Sequence, residues 1–418
     1  MANKTLSKTS SASSAANTTA DTMVNSINTF DLVIAGGGMA GSTLAWALTQ
    51  ANPRLKIAII EQQAKSKLGQ ASQASFDSRS IALAAASVDL LQQWQLWSAL
   101  AADACPIKQV KVSDRGHFGK VSLQHQDYQR DALGYVLEVE HLGNLLQAKL
   151  SQCPQVTWFQ PNTIAAITPE QDYQQLQLND GHQLQCKLLV IAEGGASPSR
   201  ELAGITMKQQ QYGQSAVIAN LAINQAHDFT AFERFTAHGP IALLPLTKQR
   251  YSLVYTTTTA EAERLMQLAE ADFLAQMQQA FGYRAGVFSS TGQRAMYPLS
   301  LGMADTIVSH RVALLGNSLH NLHPIAGQGF NLAMRDIEQL VQLLTTTDDA
   351  GSYGLLRAYQ QARQADIKQV ALATDALVRL FSNRSRLLAL TRNMGLFALL
   401  MCKPLKQPIA MHAMGYRS

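Results

Sequence analysis

The stretch Phe30–Gly41, FDLVIAGGGMAG, decides the fold. Residues 31–35 (DLVIA) suit a strand buried on both faces. They deliver Gly36, Gly37 and Gly38, and a helical pattern follows. Gly36, Gly38 and Gly41 match G-x-G-x-x-G, in which each glycine has its own task. The first permits a tight strand-to-helix turn, the second lets backbone approach a pyrophosphate, and the third lets the helix pack closely on the strand. The helix start adds bare N–H groups and its positive dipole end. Leu55–Ile60 (LKIAII) reads as a second apolar strand ending at Glu61. An acid about 20 positions past the glycines is where a ribose hydroxyl is held. Glycine clusters alone mark ordinary turns. Strand, glycines, helix and strand-end acid together predict dinucleotide binding, with the dinucleotide left open.

At 418 residues the chain is long enough for two or three domains. An apolar fraction of 47% and a charged fraction of 15% describe a globular protein. The net charge of +5 is modest, and no aromatic-laced basic block argues for nucleic acid. Cys105, Cys153, Cys186 and Cys402 are scattered without a C-x-x-C pair, so neither a metal site nor a disulfide framework is expected. That usage fits a reducing cytoplasm. Residues 1–28 are dominated by Ser, Thr, Ala and Asn and read as a disordered tail, without the apolar run of a secretory signal. No apolar run reaches the ~18–20 residues that span a bilayer.

Further along, residues 110–123 read as a hairpin and residues 142–150 as a helix. Residues 174–192 read as a hairpin through Asn179-Asp180-Gly181, whose second arm enters the buried run LLVIA. Residues 215–255 change to strand-type alternation, and a helix is predicted over about 260–281. This pattern predicts a sheet-plus-helix domain inserted into the nucleotide-binding core. RVALL (residues 311–315) returns the chain to that core.

Two later stretches extend the first motif. AEGGASPSR (residues 192–200) offers flexible backbone, the Ser197 hydroxyl and the Arg200 cation for a second phosphate contact; the alternative is a plain helix-capped turn. GNSLHNLHPIAGQGFNLAMRD (residues 316–336) ends a strand in Gly-Asn and leads through Pro324 to Gly327-Gln328-Gly329 before a helix near Asn331. Bare N–H groups at a helix start suit a ring that gains negative charge on reduction, as a flavin does.

These three stretches, in this order, resemble the FAD-dependent aromatic-ring hydroxylases, the group A flavoprotein monooxygenases related to para-hydroxybenzoate hydroxylase. Within them, FDSRSIAL, VSDRGHFG, FERFTAHGPIALLPL and the terminal RNMGLFALL…AMG resemble the ubiquinone-biosynthesis hydroxylases, and most nearly their 2-octaprenyl-6-methoxyphenol branch. The resemblance covers about residues 30–414. It implies that Gly36, Gly38, Gly41 and Glu61 bind the ADP half of FAD, and that Arg79 lies near the flavin. It implies FAD and NAD(P)H contacts for Glu193, Gly194, Ser197 and Arg200. Gly316 and Asn317 would meet the ribityl chain, and Pro324, Gly327, Gln328 and Gly329 the isoalloxazine ring. Two positions depart from the family pattern: Glu193 and Asn317 each replace an aspartate, and the asparagine is itself a mark of that branch.

The implied reaction is hydroxylation of a polyprenylated phenol with NAD(P)H and O2, via a flavin C4a-hydroperoxide. His238, His320 and His323 are base candidates by chemical type, with Pro324 beside His323; no catalytic residue is nominated. A surface ion pair is the alternative for Arg79, and a structural role for His323. Residues 384–414 alternate basic and apolar side chains. They fit an interfacial amphipathic helix, a docking face for other ubiquinone-biosynthesis proteins, or a helix pair packed on the core. Localisation is expected to be cytoplasmic, with peripheral contact at the inner membrane as its extension. Rival readings are a prenyl reductase of the same fold and a non-catalytic flavin-binding component of a biosynthetic complex. The fold expected is α/β: a Rossmann-like FAD-binding domain (residues 29–105, 129–207 and 299–345), an inserted substrate domain (106–128 and 208–298), and a C-terminal helical region (346–418).

Overall fold

The computed structural model describes residues 27–64, 79–114, 120–236, 239–321, 328–381 and 403–416. Its centre is a parallel sheet. Asn28–Ala35 lies in the middle, with Ile57–Ile60 and Val156–Phe159 to one side and Gln183–Ile191 and Val312–Leu314 to the other. Residues 32–35, 57–59 and 188–191 are at most 1% exposed. Layers on both faces explain why these strands read as unbroken apolar runs. The helices Met39–Ala51, Val139–Leu150 and Gln328–Thr345 share this core. The expected hairpin is present, with Gln174–Leu178 antiparallel to residues 183–186.

From Ala35 the chain crosses to one side of the sheet, and from Ile191 it eventually returns on the other. The carboxyl ends of these two neighbouring strands therefore flank the point where strand order reverses. In open α/β sheets that crevice takes the ligand.

The inserted domain is a nine-stranded sheet. Its main path runs His320–Asn321, Ala295–Ala304, Met207–Ile223, Arg250–Thr258, Gly239–Leu246, Thr230–Thr236, Gln109–Asp114, Lys120–Gln124. Phe273, Met277 and Phe281 press on one face together with Val217, Leu221, Leu243 and Tyr251. The single helix predicted over 260–281 is two, Thr259–Gln267 and Glu270–Phe281. The Arg294 guanidinium accounts for the break by donating to the Leu265 and Leu268 carbonyls at 3.0 and 2.7 Å, which ends the first helix. Ser80–Ala84, Gly134–Glu138 and Cys105–Ile107 form a separate three-stranded sheet. Its Ile107 and Val136 pack against Ala231 and Leu246 on the other face of the large sheet.

Lys403–Ala413 and the residues after it dock on the core. Ala410 and Met414 are buried, and Ala86 N–H donates to the Met414 carbonyl at 3.0 Å. The remainder of the basic-apolar stretch, residues 384–402, lies outside the described residues.

A buried charged cluster ties the third nucleotide stretch to the helices behind it. Asp336 Oδ2 accepts from Gly316 N–H at 3.1 Å and lies 2.8 Å from His320 Nε2. Its Oδ1 accepts from Arg363 Nε at 2.6 Å. All three side chains are 0% exposed. Arg363 also bonds Asp366, which accepts from Arg335 Nη1 at 2.8 Å. Burial pushes the Asp336 carboxyl up, but His320 and Arg363 outweigh it and hold the group below the usual aspartate value.

Removing one member of such a pair strands the other charge in the interior. Asp336→Ala is expected to cost about 3–5 kcal/mol of stability at neutral pH, read by denaturant unfolding. Because the folded pKa is depressed, this stability is present above the ordinary value of 3.8 and is lost as pH falls through the lower folded value. Wild type and variant should therefore converge in strong acid. Equal midpoints at pH 7 would contradict the assignment.

Candidate functional site

The three stretches, more than 100 residues apart in the chain, meet side by side at the carboxyl ends of three adjacent strands. Ala192 N–H donates to the Ala35 carbonyl at 2.7 Å, and Leu315 N–H to the Ile191 carbonyl at 3.0 Å. Ser318 Oγ accepts from Gly194 N–H at 3.0 Å and is 3.1 Å from the Gly194 carbonyl. The crevice is thus built from all three.

Each fingerprint glycine has a distinct environment. Gly36 adopts φ +105°, and a Cβ there would lie 2.7 Å from the Ala192 backbone. At Gly41 a Cβ would fall 2.0 Å from the Gly36 carbonyl oxygen and 3.0 Å from Ile34, so only hydrogen allows the helix this close to the strand. A Cβ on Gly38 would meet nothing within 4 Å. Its bare backbone opens at the N-terminus of the Met39–Ala51 helix, where a pyrophosphate would be received. Gly37, which the motif leaves unspecified, is equally constrained: its Cβ would sit 2.7 Å from the Trp158 ring.

Glu61 stands at the end of its strand as expected. Gly37 N–H donates to its Oε2 at 2.7 Å and Gln63 N–H to Oε1 at 2.9 Å. The carboxylate is fixed beside the glycine turn, and each oxygen keeps a lone pair for a ribose hydroxyl. Asn317 is exposed, whereas Gly316, Ser318, Leu319 and His320 around it are buried. That leaves its amide facing outward from the third stretch.

Glu193, Ser197 and Arg200 carry local bonds. Glu193 accepts from Ser197 Oγ, Ser199 N–H and Ser199 Oγ at 2.8, 3.0 and 2.6 Å. Ser197 caps the short helix Pro198–Leu202. Arg200 is 3% exposed, and its Nη1 donates to the Gly195 and Ser318 carbonyls at 3.1 and 3.3 Å. Glu193 and Ser197 brace the second stretch internally, as the helix-capped alternative expects, and Arg200 ties it to the third. Gly194, at φ +94°, has open space where a Cβ would be.

Arg79 stacks over Tyr297 of the inserted sheet, 5.1 Å from the ring centre, at the seam between the two domains. Gly329 lies in the first turn of Gln328–Thr345, which begins three residues before the predicted start near Asn331. Asn331 accepts from Ala84 N–H and Ser87 Oγ, both at 2.8 Å, and donates to the Ala82 carbonyl at 2.8 Å. It anchors the start of that helix to the three-stranded sheet. His320 is the buried partner of Asp336. His238, His323, Pro324 and Gly327, and the side chain of Gln328, lie outside the described residues.

Sequence reasoning missed Gly37, Ser318, Asn331 and Asp336. All four fall inside the motif stretches, but only their partners, distant in sequence, reveal what they do.

The large sheet turns its second face toward the three-stranded sheet and the Arg79 seam. One register row runs across it: Ala295, Ile218, Val254, Ala242, Glu233, Val112. All six are half-buried, whereas Val217, Ala219, Ile241, Leu243, Leu253 and Phe232 on the helix-covered face are at most 8% exposed. Five of the six are apolar. The same face reaches Ala85 and Met414 through Val110 and Leu123.

The open space at Gly38, the fixed Glu61 and the exposed Asn317 fit an extended dinucleotide running from the first stretch to the third. Residues 29–374 match the family of the FAD binding domain. The chain is 34% identical over 394 residues to the ubiquinone hydroxylase UbiL of Rhodospirillum rubrum, covering 92% of this chain and 89% of that one. It is 31% identical over 390 residues to the 3-demethoxyubiquinol 3-hydroxylase of Escherichia coli, covering 92% and 98%. The crystal structure of p-nitrophenol 4-monooxygenase PnpA from Pseudomonas putida matches with a TM-score of 0.76 over 94% of this chain and 100% of that chain, at 16% identity, a likeness of fold. With the crevice, the glycine turn and the two-domain architecture in agreement, the chain belongs to the FAD-binding-domain family, as an FAD-dependent monooxygenase related to the ubiquinone-biosynthesis hydroxylases.

Proposed function

We propose that this monooxygenase hydroxylates the ring of a polyprenylated phenol in ubiquinone biosynthesis, of the 2-octaprenyl-6-methoxyphenol type, with NAD(P)H as electron donor and O2 as oxygen source. The observation that carries the substrate class is the half-buried row on the inner face of the large sheet. A row with five apolar members of six offers an isoprenoid-substituted ring apolar contact and screens it from water. The names of the relatives point the same way.

Bound FAD supplies the redox chemistry, taking two electrons from the reductant and activating O2. The residues of this chain hold and orient it. Glu61 takes the adenosine ribose, and Gly36, Gly38 and Gly41 with the following helix start take the pyrophosphate. Gly316 and Asn317 take the ribityl chain, with Gly194 beside them. Pro324, Gly327, Gln328 and Gly329 take the ring, and Arg79 closes the seam next to it. Glu193, Ser197 and Arg200 act by fixing the geometry of the second stretch. A substrate with a long isoprenoid tail resides in a bilayer, so the proposal extends to peripheral membrane contact by a cytoplasmic protein. Among the described residues, no helix is long and apolar enough to cross a membrane.

Two measurements test this reading. Gly38→Leu is expected to fold with a near-normal melting temperature, since space is open there, yet to weaken FAD about a hundredfold or more in Kd. Gly41→Ala should instead lower the melting temperature. If Gly38→Leu purified with full flavin absorbance, the pyrophosphate would not lie at that turn. For the reaction, a 2-prenyl-6-methoxyphenol with one isoprene unit should stimulate NADH or NADPH oxidation and gain one oxygen from isotopically labelled O2. Label arriving from water, or reduction of the prenyl double bond, would overturn the hydroxylase assignment.

A further inference from the structure

Glu233 is the one ionisable member of the half-buried row. It lies on Thr230–Thr236, where alternation assigns residues to faces. Phe232 packs with Phe281 under the helices, and Arg234 Nη1 bonds the Phe281 carbonyl. Ala231 and Phe235 pack on the opposite face, with Ile107 and Val136 and with Val121 and Val112 respectively. Glu233, between them, shares that face. Its cross-strand neighbours are Ala242 and Val112, both apolar.

The charged and titratable groups on the surrounding elements are engaged elsewhere. Lys111 stacks over Phe232 on the helix side. Glu138 is paired with Arg250, and Tyr416 donates to Asp89. Asp114 is buried two register rows away on the same face, opposite Phe235. Among the described residues, no cation pairs with Glu233. The residue as a whole is nonetheless only half-buried, so a small molecule lying on the row can reach it.

Resting on the proposed phenol hydroxylation, we propose that Glu233 is a catalytic residue on the substrate side, the base that takes the proton of the phenol hydroxyl. The phenol O–H bond breaks, its electron pair stays on oxygen, and the proton forms the O–H bond of the carboxylic acid. The phenolate ring is then rich enough in electrons to accept an electrophilic oxygen. One atom of O2 enters as hydroxyl in place of a ring hydrogen and the other leaves as water; the hydride of NAD(P)H supplies the two electrons and one hydrogen, and the displaced ring proton and one solvent proton supply the other two. Glu233 returns its proton to the product phenolate and ends the turnover unchanged. Burial in this apolar setting pushes the carboxyl up from 4.5 to about 7. That makes it a stronger base for a phenol, whose own value is about 10, while still ionised at mildly alkaline pH.

The test is hydroxylated product from the one-isoprene 2-prenyl-6-methoxyphenol, followed by mass in wild type and in Glu233→Gln. A ring-fluorinated analogue with a more acidic hydroxyl serves as second probe. Loss of a general base is expected to lower kcat/KM about 10²–10⁴-fold with the first probe, and at least about tenfold less with the acidic one. FAD content and melting temperature establish that the isosteric variant is folded. In wild type alone, kcat/KM should rise with pH through about 7 as the carboxylate ionises. Equal kcat/KM in both proteins, equal losses with both probes, or no inflection in the wild-type profile would each overturn the role of Glu233 while hydroxylation stands. A wild type that binds FAD but makes no hydroxylated product from either probe would overturn both proposals together.

Discussion

The structure depends on one close approach, that of Gly36 to the backbone of Ala192. Two parallel strands can end side by side in a crevice only if the first turns away without a side chain. At 2.7 Å, a Cβ on Gly36 would collide with the second turn. That approach permits the Ala192–Ala35 hydrogen bond, and the Leu315–Ile191 bond extends the arrangement to a third strand end. Gly36, Gly38, Gly41, Glu61, Gly194, Gly316 and Asn317, proposed above to hold the dinucleotide, stand on or beside these three turns.

A second constraint is electrostatic. The third turn is held from behind by Asp336, whose carboxylate is shared among the Gly316 N–H, His320 and Arg363. A fully buried carboxylate is tolerable only with that many partners. The cluster also joins Gln328–Thr345 to Tyr353–Phe381, so a helix late in the chain helps to set the third turn. On the other side, the large sheet divides its labour between faces. One is sealed by helices, and the other carries a half-buried row that is apolar except at Glu233.

Several residues show how far the chain could be read in advance. Glu61 was legible because strand-end spacing alone places an acid beside the glycines. Gly36 and Gly41 were legible because no other residue survives such contacts. Arg200 read with equal ease as a phosphate cation or as part of a capped turn, since a guanidinium's partners are not encoded nearby. In the fold it is buried and spends Nη1 on two carbonyls. The break between Thr259–Gln267 and Glu270–Phe281 was illegible for a similar reason. No glycine or proline marks it, and the arginine that ends the first helix lies 26 residues past Leu268.

The sequence by itself determined the nucleotide-binding core, the order of its three turns and the inserted domain. These follow from local rules: strand-length apolar runs, glycines where side chains cannot fit, and alternation in place of helical period. Only the tertiary structure decided which polar groups support the site and which face it. Nothing near Asp336 or Arg200 in the sequence marks them as buried braces, and Glu233 looks like one more polar position in a strand. Its place on the half-buried row comes from cross-strand register, a long-range pairing that no local pattern records.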